Sequence, residues 1–450
     1  MNYTLFEHQK ASLRFADATP IIFDTSDPGT GKTLVYLNLI DRNNKATQKR
    51  ALVICPKSLM RSAWGNDIKK FAPWLSTSVA SATNRAEAFK FEADVYITNH
   101  DAVNWLVKQR PSFFEKFSTL IVDESGAYKH HTSLRSKALN KIASHFQYRY
   151  GLNGTPMTNS VTDIWNQVKF LDGGKRLGKS FFAFRDSVCR PKQVGPSPNM
   201  VKWEDKVGAE DAVTMLLKDI IIRNKLEECV DLPENIMYTV PYYFSEKQKN
   251  AYIQMEMAEI AALEDGSVIS AINAASVMTK LLQISSGAVY EMPDVYHVVD
   301  EGRYQLIMDL IEARDHSVTF FLWKHQRDLL VETARKRKIS FAVIDGSVSE
   351  KERAQIVTQY QQGMYQTIFA HPQSTAHGLT LTRGNTTIWA SPTYNLEHFQ
   401  QGNRRIFRIG QKQKTETIVV LADDTCEQRV FDALQNKNVR LTSLLESMRA

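Results

Sequence analysis

The chain has 450 residues, too many for one typical domain and enough for two or three. About 43% of residues are hydrophobic and 23% are charged, ordinary for a globular protein and enough to exclude long disorder or low-complexity sequence. Lys and Arg number 56 against 49 Asp and Glu, a net charge of +7 that favours a polyanionic partner without identifying one.

The four cysteines, Cys55, Cys189, Cys229 and Cys426, are too scattered for a Cys-x-x-Cys zinc pair and read as core residues of a reducing compartment. The first residues lead directly into a motif, so no secretory signal is expected. Apolar runs such as Phe320–Trp323 are far too short to cross a bilayer.

In chain order, Pro20–Phe23 reads as a strand, followed by a Gly-containing turn and a helix over Gly31–Ile40. Ala51–Cys55, Asp94–Thr98 and Thr119–Val122 read as further strands. Short apolar strands separated by helices predict a parallel sheet covered on both faces. Helical patterns dominate from Thr158 to Leu232, broken by a Pro/Gly stretch over Arg190–Pro198, and this region is expected to lie outside the sheet. Asp231-Leu232-Pro233 reads as the seam between the halves, and residues 245–285 as helical. After Gly302 the alternation returns, with strands at Val318–Trp323, Phe341–Ile344, Thr367–Ala370, Thr386–Ala390 and Thr417–Leu421. The expected organisation is an α/β domain over 1–157, a helical insertion with a projecting basic loop over 158–235, a helical addition over 236–300 and a second α/β domain over 301–450.

Three segments carry chemistry. Asp27-Pro28-Gly29-Thr30-Gly31-Lys32-Thr33 lies between a strand and a helix, where glycines let backbone N–H groups approach phosphates. In such a loop Lys32 reaches the β- and γ-phosphates of ATP and the Thr33 hydroxyl binds Mg2+; Ser26 stands where the usual first glycine would be. Thr119–Val122 is an apolar strand ending in Asp123 and Glu124, suited to holding the metal through its waters and to activating the attacking water, respectively. Gln401–Gln411 contains no acid, and Arg405 and Arg408, one helical turn apart, are expected to point the same way. Such arginines stabilise transition-state charge when the second domain closes; a solvated basic helix or a nucleic-acid patch is the alternative.

Together these residues resemble the SWI/SNF-related ATPases of helicase superfamily 2, over nearly the whole chain and in the family's order. Phe6, His8 and Gln9 are similar to the adenine-reading segment, and Leu52–Leu59 with Trp64 to motif Ia, placing Lys57 and Ser58 at DNA. Gly151–Asn159 is similar to the segment coupling ATP to DNA. Ile344–Ser347 with Arg353, Gly378–Leu381, Asn395–Gln401 and the closing Arg408-Ile409-Gly410-Gln411 resemble the second domain, with Gly378 and Gln401 near the nucleotide. The resemblance implies two RecA-like parallel-sheet domains in tandem with helical insertions, hydrolysis of ATP with Mg2+, and movement along duplex DNA.

Three departures stand out. Gly126 occupies the place of a usual His, leaving His130 or His131 as substitutes; Asn153 replaces a usual Thr; Arg404 stands where Asp or Gly is common. Phe181 through Arg223 to Pro233 resembles the members that remodel forks and other branched DNA. Arg190, Lys192, Lys202 and Lys206 are then expected to grip phosphates, with Trp203 stacking on an unpaired base. The expected partner is duplex, forked or four-way DNA read without sequence preference, by a monomer in the cytosol of a bacterial or virus-infected cell or in a nucleus. An RNA helicase, a restriction-type translocase or a non-catalytic clamp remain the alternatives.

Overall fold

The structure, a computed structural model, describes residues 3–157, 159–194, 200–264, 271–375 and 379–447. It divides into two units, residues 1–231 with 439–450, and residues 232–438.

The strands of the first unit are β1 (Ile21–Asp24), β2 (Arg50–Cys55), β3 (Thr77–Ala80), β4 (Val95–Asn99), β5 (Phe117–Asp123), β6 (Tyr148–Leu152), β7 (Cys189–Gln193), β8 (Val201–Asp205) and β9 (Ile221–Ile222). β7 and β8 form a separate antiparallel ribbon. The other seven build one sheet in the order β3-β4-β2-β5-β6-β1-β9, with every neighbouring pair parallel. β1, β2 and β5 are near-continuous apolar runs because helices cover both faces of a parallel sheet. Among the helices, Lys32–Thr47 buries Val35, Tyr36, Leu39 and Ile40 in a core shared with Val53 and Ile121. Parallel pairing puts the carboxyl ends of β1, β2, β5, β6 and β9 along one edge, where ligands of open α/β sheets bind.

Two differences from the sequence reading concern this sheet. β3 and β6 were not expected as strands: half of Thr77–Ala80 is polar, and Tyr148–Leu152 carries Arg149 and Gly151. The region 158–235 does contribute to the sheet, since Ile221 and Ile222 pair with Phe23 and Asp24. The three-residue run Ile220–Ile222 is too short to signal a strand alone; β1 supplies the partner for its backbone groups.

In the second unit the strands are β10 (Asn235–Tyr242), β11 (Ala288–Met292), β12 (Val295–Val298), β13 (Ser317–Phe320), β14 (Phe341–Ile344), β15 (Thr367–Ala370), β16 (Thr386–Trp389) and β17 (Thr415–Ala422). β11 and β12 form a hairpin, and the other six make a parallel sheet in the order β10-β17-β16-β13-β15-β14. Residues 236–300 therefore carry more than helices, because β10 pairs with β17 over its whole length. The helices Glu246–Glu264 and Ala271–Ser285 follow it. Each unit is thus a RecA-like α/β domain with additions. Among the described residues no helix is long and apolar enough to cross a membrane.

A buried ion pair fixes the carboxyl edge of the second sheet. Arg303 Nη2 donates to Glu427 Oε2 at 2.8 Å, and both side chains are fully buried. Arg303 Nη1 also donates to the Ala390 and Val420 carbonyls at 2.7 and 3.3 Å, just past β16 and within β17. Glu427→Ala strands the guanidinium in the core. A loss of about 3–5 kcal/mol from the unfolding transition of this unit in urea is expected; a loss under about 1 kcal/mol would show that the pair is not what holds this edge.

Candidate nucleotide site and its surroundings

The phosphate loop leaves β1 at Asp24. Gly29 (φ 91°) and Gly31 (φ 77°) adopt left-handed backbone that residues with a Cβ seldom take. A Cβ on Gly31 would also lie 2.5 Å from Gln9 Nε2. Gln9 is buried; its amide donates to the Gly31 carbonyl at 3.3 Å and its Oε1 accepts from the Phe6 N–H at 3.0 Å. His8 Nε2 donates to the Thr30 carbonyl at 2.8 Å. The sequence-nominated Gln9 and the loop therefore form one assembly. Lys32 folds back so that Nζ donates to the Ser26 and Asp27 carbonyls at 2.5 and 3.1 Å, and Thr30 Oγ1 donates to the Asp27 carbonyl at 2.9 Å. Thr33 lies in the first turn of the helix that the loop leads into.

Asp123 closes β5, separated from β1 only by β6. Its Oδ2 accepts from the Trp64 indole at 2.9 Å and its Oδ1 from the Glu124 N–H at 3.1 Å. Burial pushes its carboxyl pKa up, while the Trp64 bond and the nearby Lys32 charge pull the other way. Trp64 comes from a single π-helical turn, Met60–Gly65, shortly after exposed Lys57 and half-buried Ser58. That turn ties the motif Ia segment to the acid strand. Glu124 has φ 53°, an uncommon conformation for a residue with a side chain, and one that costs about 1–3 kcal/mol unless its surroundings impose it.

The residues present fit a Mg-nucleotide. A glycine cradle, a lysine resting on loop carbonyls, a threonine at the helix start and a carboxylate opposite are the donors Mg2+ and phosphates require. Among the described residues no group of three or more His, Cys, Asp or Glu stands together as a metal cage.

Sequence reasoning missed what holds the loop from behind. Arg223 Nη2 pairs with Asp27 Oδ1 at 2.8 Å and Nη1 donates to the Thr25 carbonyl at 2.5 Å. The Asn224 N–H and Nδ2 both donate to Ser26 Oγ at 3.0 Å, and the Leu226 N–H donates to Asp27 Oδ2 at 3.0 Å. Ser26, the departure from glycine, is the hydroxyl this latch uses. The only sequence signal was the short isoleucine run preceding Arg223.

In the second unit the helix Leu396–Asn403 stops before the arginines, so helical spacing does not align them. They converge by another route: Arg405 Nη1 and Arg408 Nη1 both donate to the Leu379 carbonyl, at 3.4 and 2.8 Å. Arg405 is buried, its Nε donating to the Gln401 carbonyl at 2.7 Å, and Arg408 is half-buried. The Gln401 side chain donates to Glu397 at 3.2 Å, and Gly378 lies outside the described residues.

The basic segment is the β7–β8 ribbon. Its register pairs Arg190 with Glu204, Pro191 with Trp203 and Lys192 with Lys202. Because side chains alternate along a strand, Arg190, Lys192 and Lys202 share one face and Trp203 lies on the other. Trp203 is half-buried under the Arg185 guanidinium, 3.6 Å from its ring centroid, so its near face is taken by a cation. Lys206 Nζ donates to the Asp186 and Ser187 carbonyls, and Lys192 pairs with Glu204 at 2.9 Å. Arg190 and Lys202 remain exposed; residues 195–199, with the prolines expected to project, lie outside the described residues. Of the two candidate substitutes for the usual His, His131 stacks on Phe181 with ring centroids 3.7 Å apart and burial lowers its pKa, while His130 is exposed.

Two parallel-sheet units, with a phosphate loop after β1 and an acid pair after β5, define the ATPase/helicase class of superfamily 2. Residues 17–286 match the SNF2-related domain and residues 302–410 the helicase conserved C-terminal domain. The chain belongs to the SNF2-related family. It is 27% identical over 442 residues to the p41 protein of Acyrthosiphon pisum secondary endosymbiont phage 1, covering 94% of this chain and 93% of that one. To the mouse Chromodomain-helicase-DNA-binding protein 1-like it is 24% identical over 93% of its length, spanning only 47% of that relative. The Sulfolobus solfataricus SWI2/SNF2 ATPase core in complex with dsDNA shares 20% identity over 100% of this chain and 95% of that one, with a TM-score of 0.45.

Proposed function

We propose that the chain is an ATP-driven translocase that works on DNA, with forked or four-way junctions as its substrates. The observation that carries the ATPase reading is Lys32, held on the Ser26 and Asp27 carbonyls of a glycine-lined loop, with Asp123 and Glu124 at the end of the next strand but one in the same sheet. Phosphates entering the loop give Lys32 a better partner than those carbonyls, so its ammonium swings onto the β- and γ-oxygens. Thr33 and, through the metal's waters, Asp123 would hold Mg2+, which when bound would neutralise phosphate charge. Glu124 orients the attacking water and accepts its proton, and Arg405 and Arg408 stabilise the charge that develops on the transferred group. Gln9, beside Thr30 and Gly31, reads the base.

For DNA, Lys57 and Ser58 in the turn after β2 meet the backbone, and the basic face of the β7–β8 ribbon engages the junction. The test measures ATP hydrolysis on duplex, single-stranded, forked and four-way DNA and on RNA. Stimulation by duplex and junction DNA that falls steeply with salt and ignores base sequence is expected. The triple variant Arg190→Ala/Lys192→Ala/Lys202→Ala should lose branch migration about tenfold more than duplex-stimulated turnover. Stimulation by RNA alone would overturn the DNA reading, and equal losses on duplex and junction would overturn the ribbon's role.

A further inference from the structure

We infer that Gln167 is a positioning residue for hydrolysis: its carboxamide holds the turn carrying Glu124 and ties it to the loop after β6. The inference deepens the proposed ATPase reading and rests on it.

Gln167 lies on the helix Trp165–Asp172 and is fully buried. Its Oε1 accepts from the Ser125 hydroxyl at 3.1 Å and from Asn153 Nδ2 at 2.7 Å. Its Nε2 donates to the Pro156 and Asp163 carbonyls, both at 2.8 Å. Both acceptor positions and both protons of one buried amide are therefore used, the full capacity of the group. Three of the four bonds lead to functional backbone. Ser125 directly follows Glu124, whose left-handed φ of 53° needs an outside restraint to persist. Asn153 and Pro156 belong to the loop leaving β6, and the Asn153 N–H donates to the Asp24 carbonyl at 2.9 Å, where the phosphate loop begins.

Gly126 completes the arrangement. A Cβ there would lie 3.0 Å from Asn153 Nδ2, the atom bonded to Gln167, so a side chain at 126 would press on this junction. The absence of a side chain at 126 and the amide at 153 are parts of one contact. A shift of the loop after β6 is thus transmitted through a single carboxamide to the backbone beside Glu124. A hydrogen-bonded junction in a dry interior transmits such a shift because breaking any of its bonds leaves a buried polar group unpaired.

The test compares wild type with Gln167→Met, Ser125→Ala and the double variant, measuring kcat and KM for ATP at saturating DNA and thermal midpoints. Met keeps the length and volume of Gln and removes all four bonds. In samples shown folded by circular dichroism, Gln167→Met should lower kcat about tenfold or more while KM for ATP stays within about threefold, since Lys32 and Gln9 are untouched. Adding Ser125→Ala removes the hydroxyl stranded by Met, so the midpoint should recover in part while kcat does not fall further. Should Gln167→Met not fold, Ser125→Ala carries the test, with kcat reduced about threefold or more and KM unchanged. A folded Gln167→Met within about twofold of wild-type kcat, a kcat that recovers with the midpoint, or a loss seen in KM alone overturns the assignment. Wild type that hydrolyses no ATP overturns the ATPase reading as well, whereas wild type that requires Lys32 but not Gln167 overturns only this inference.

Discussion

Glu124→Gln is expected to reduce ATP turnover by about three orders of magnitude or more while ATP and DNA binding persist. The substitution keeps the shape of the side chain and leaves Asp123, with its bonds to Trp64 and to the Glu124 N–H, as it is. What it removes is the carboxylate that takes the proton of the attacking water. Because φ at this position is 53°, any substitution must also tolerate left-handed backbone; Gln does so as well as Glu, and so isolates the chemistry from the geometry. Single-turnover hydrolysis with nucleotide binding measured in parallel separates the two. A variant hydrolysing at the wild-type rate would show that Glu124 is not the residue that activates water.

Arg405→Ala and Arg408→Ala are each expected to cut kcat by about 10³-fold, with ATP affinity kept because the loop and Lys32 belong to the first unit. The two variants should differ in stability. Arg405 is buried and bonded to the Gln401 carbonyl, so its removal leaves that carbonyl unpaired and lowers the thermal midpoint; half-buried Arg408 should cost less. A fall in kcat for Arg408→Ala with an unchanged midpoint is the result that marks a role in hydrolysis. Turnover near wild type in both variants would remove the arginines from the reaction.

The parts of this molecule readable in advance are those whose signal is contiguous. The phosphate loop needs Gly29, Gly31, Lys32 and Thr33 in a row between a strand and a helix, and all of them stand in one seven-residue word. Asp123 and Glu124 end an apolar strand whose burial comes from the same run of residues. Contacts between distant segments gave no such signal. Nothing in Arg223 or Asn224 announces the phosphate loop, because those residues meet Asp27 and Ser26 only once β9 has paired with β1. The face Trp203 takes was not legible for a related reason: it follows Lys202 directly in sequence, which puts the two on opposite faces once the segment is a strand. The arginines were expected to align through helical spacing, yet the helix ends at Asn403 and the Leu379 carbonyl brings them together.

The latch behind the phosphate loop also bears on how the chain is made. Ser26 and Asp27 leave the ribosome early, whereas Arg223, Asn224 and Leu226 follow almost two hundred residues later. The nascent chain can pair β1 with β6 well before β9 exists, since Tyr148–Leu152 precedes it. Through that interval the loop lacks its Arg223 and Asn224 bonds, and the β1 edge of the sheet stays open. The last partners of Ser26 and Asp27 therefore arrive with the residues just before the second unit, and the loop reaches its final set of bonds only then.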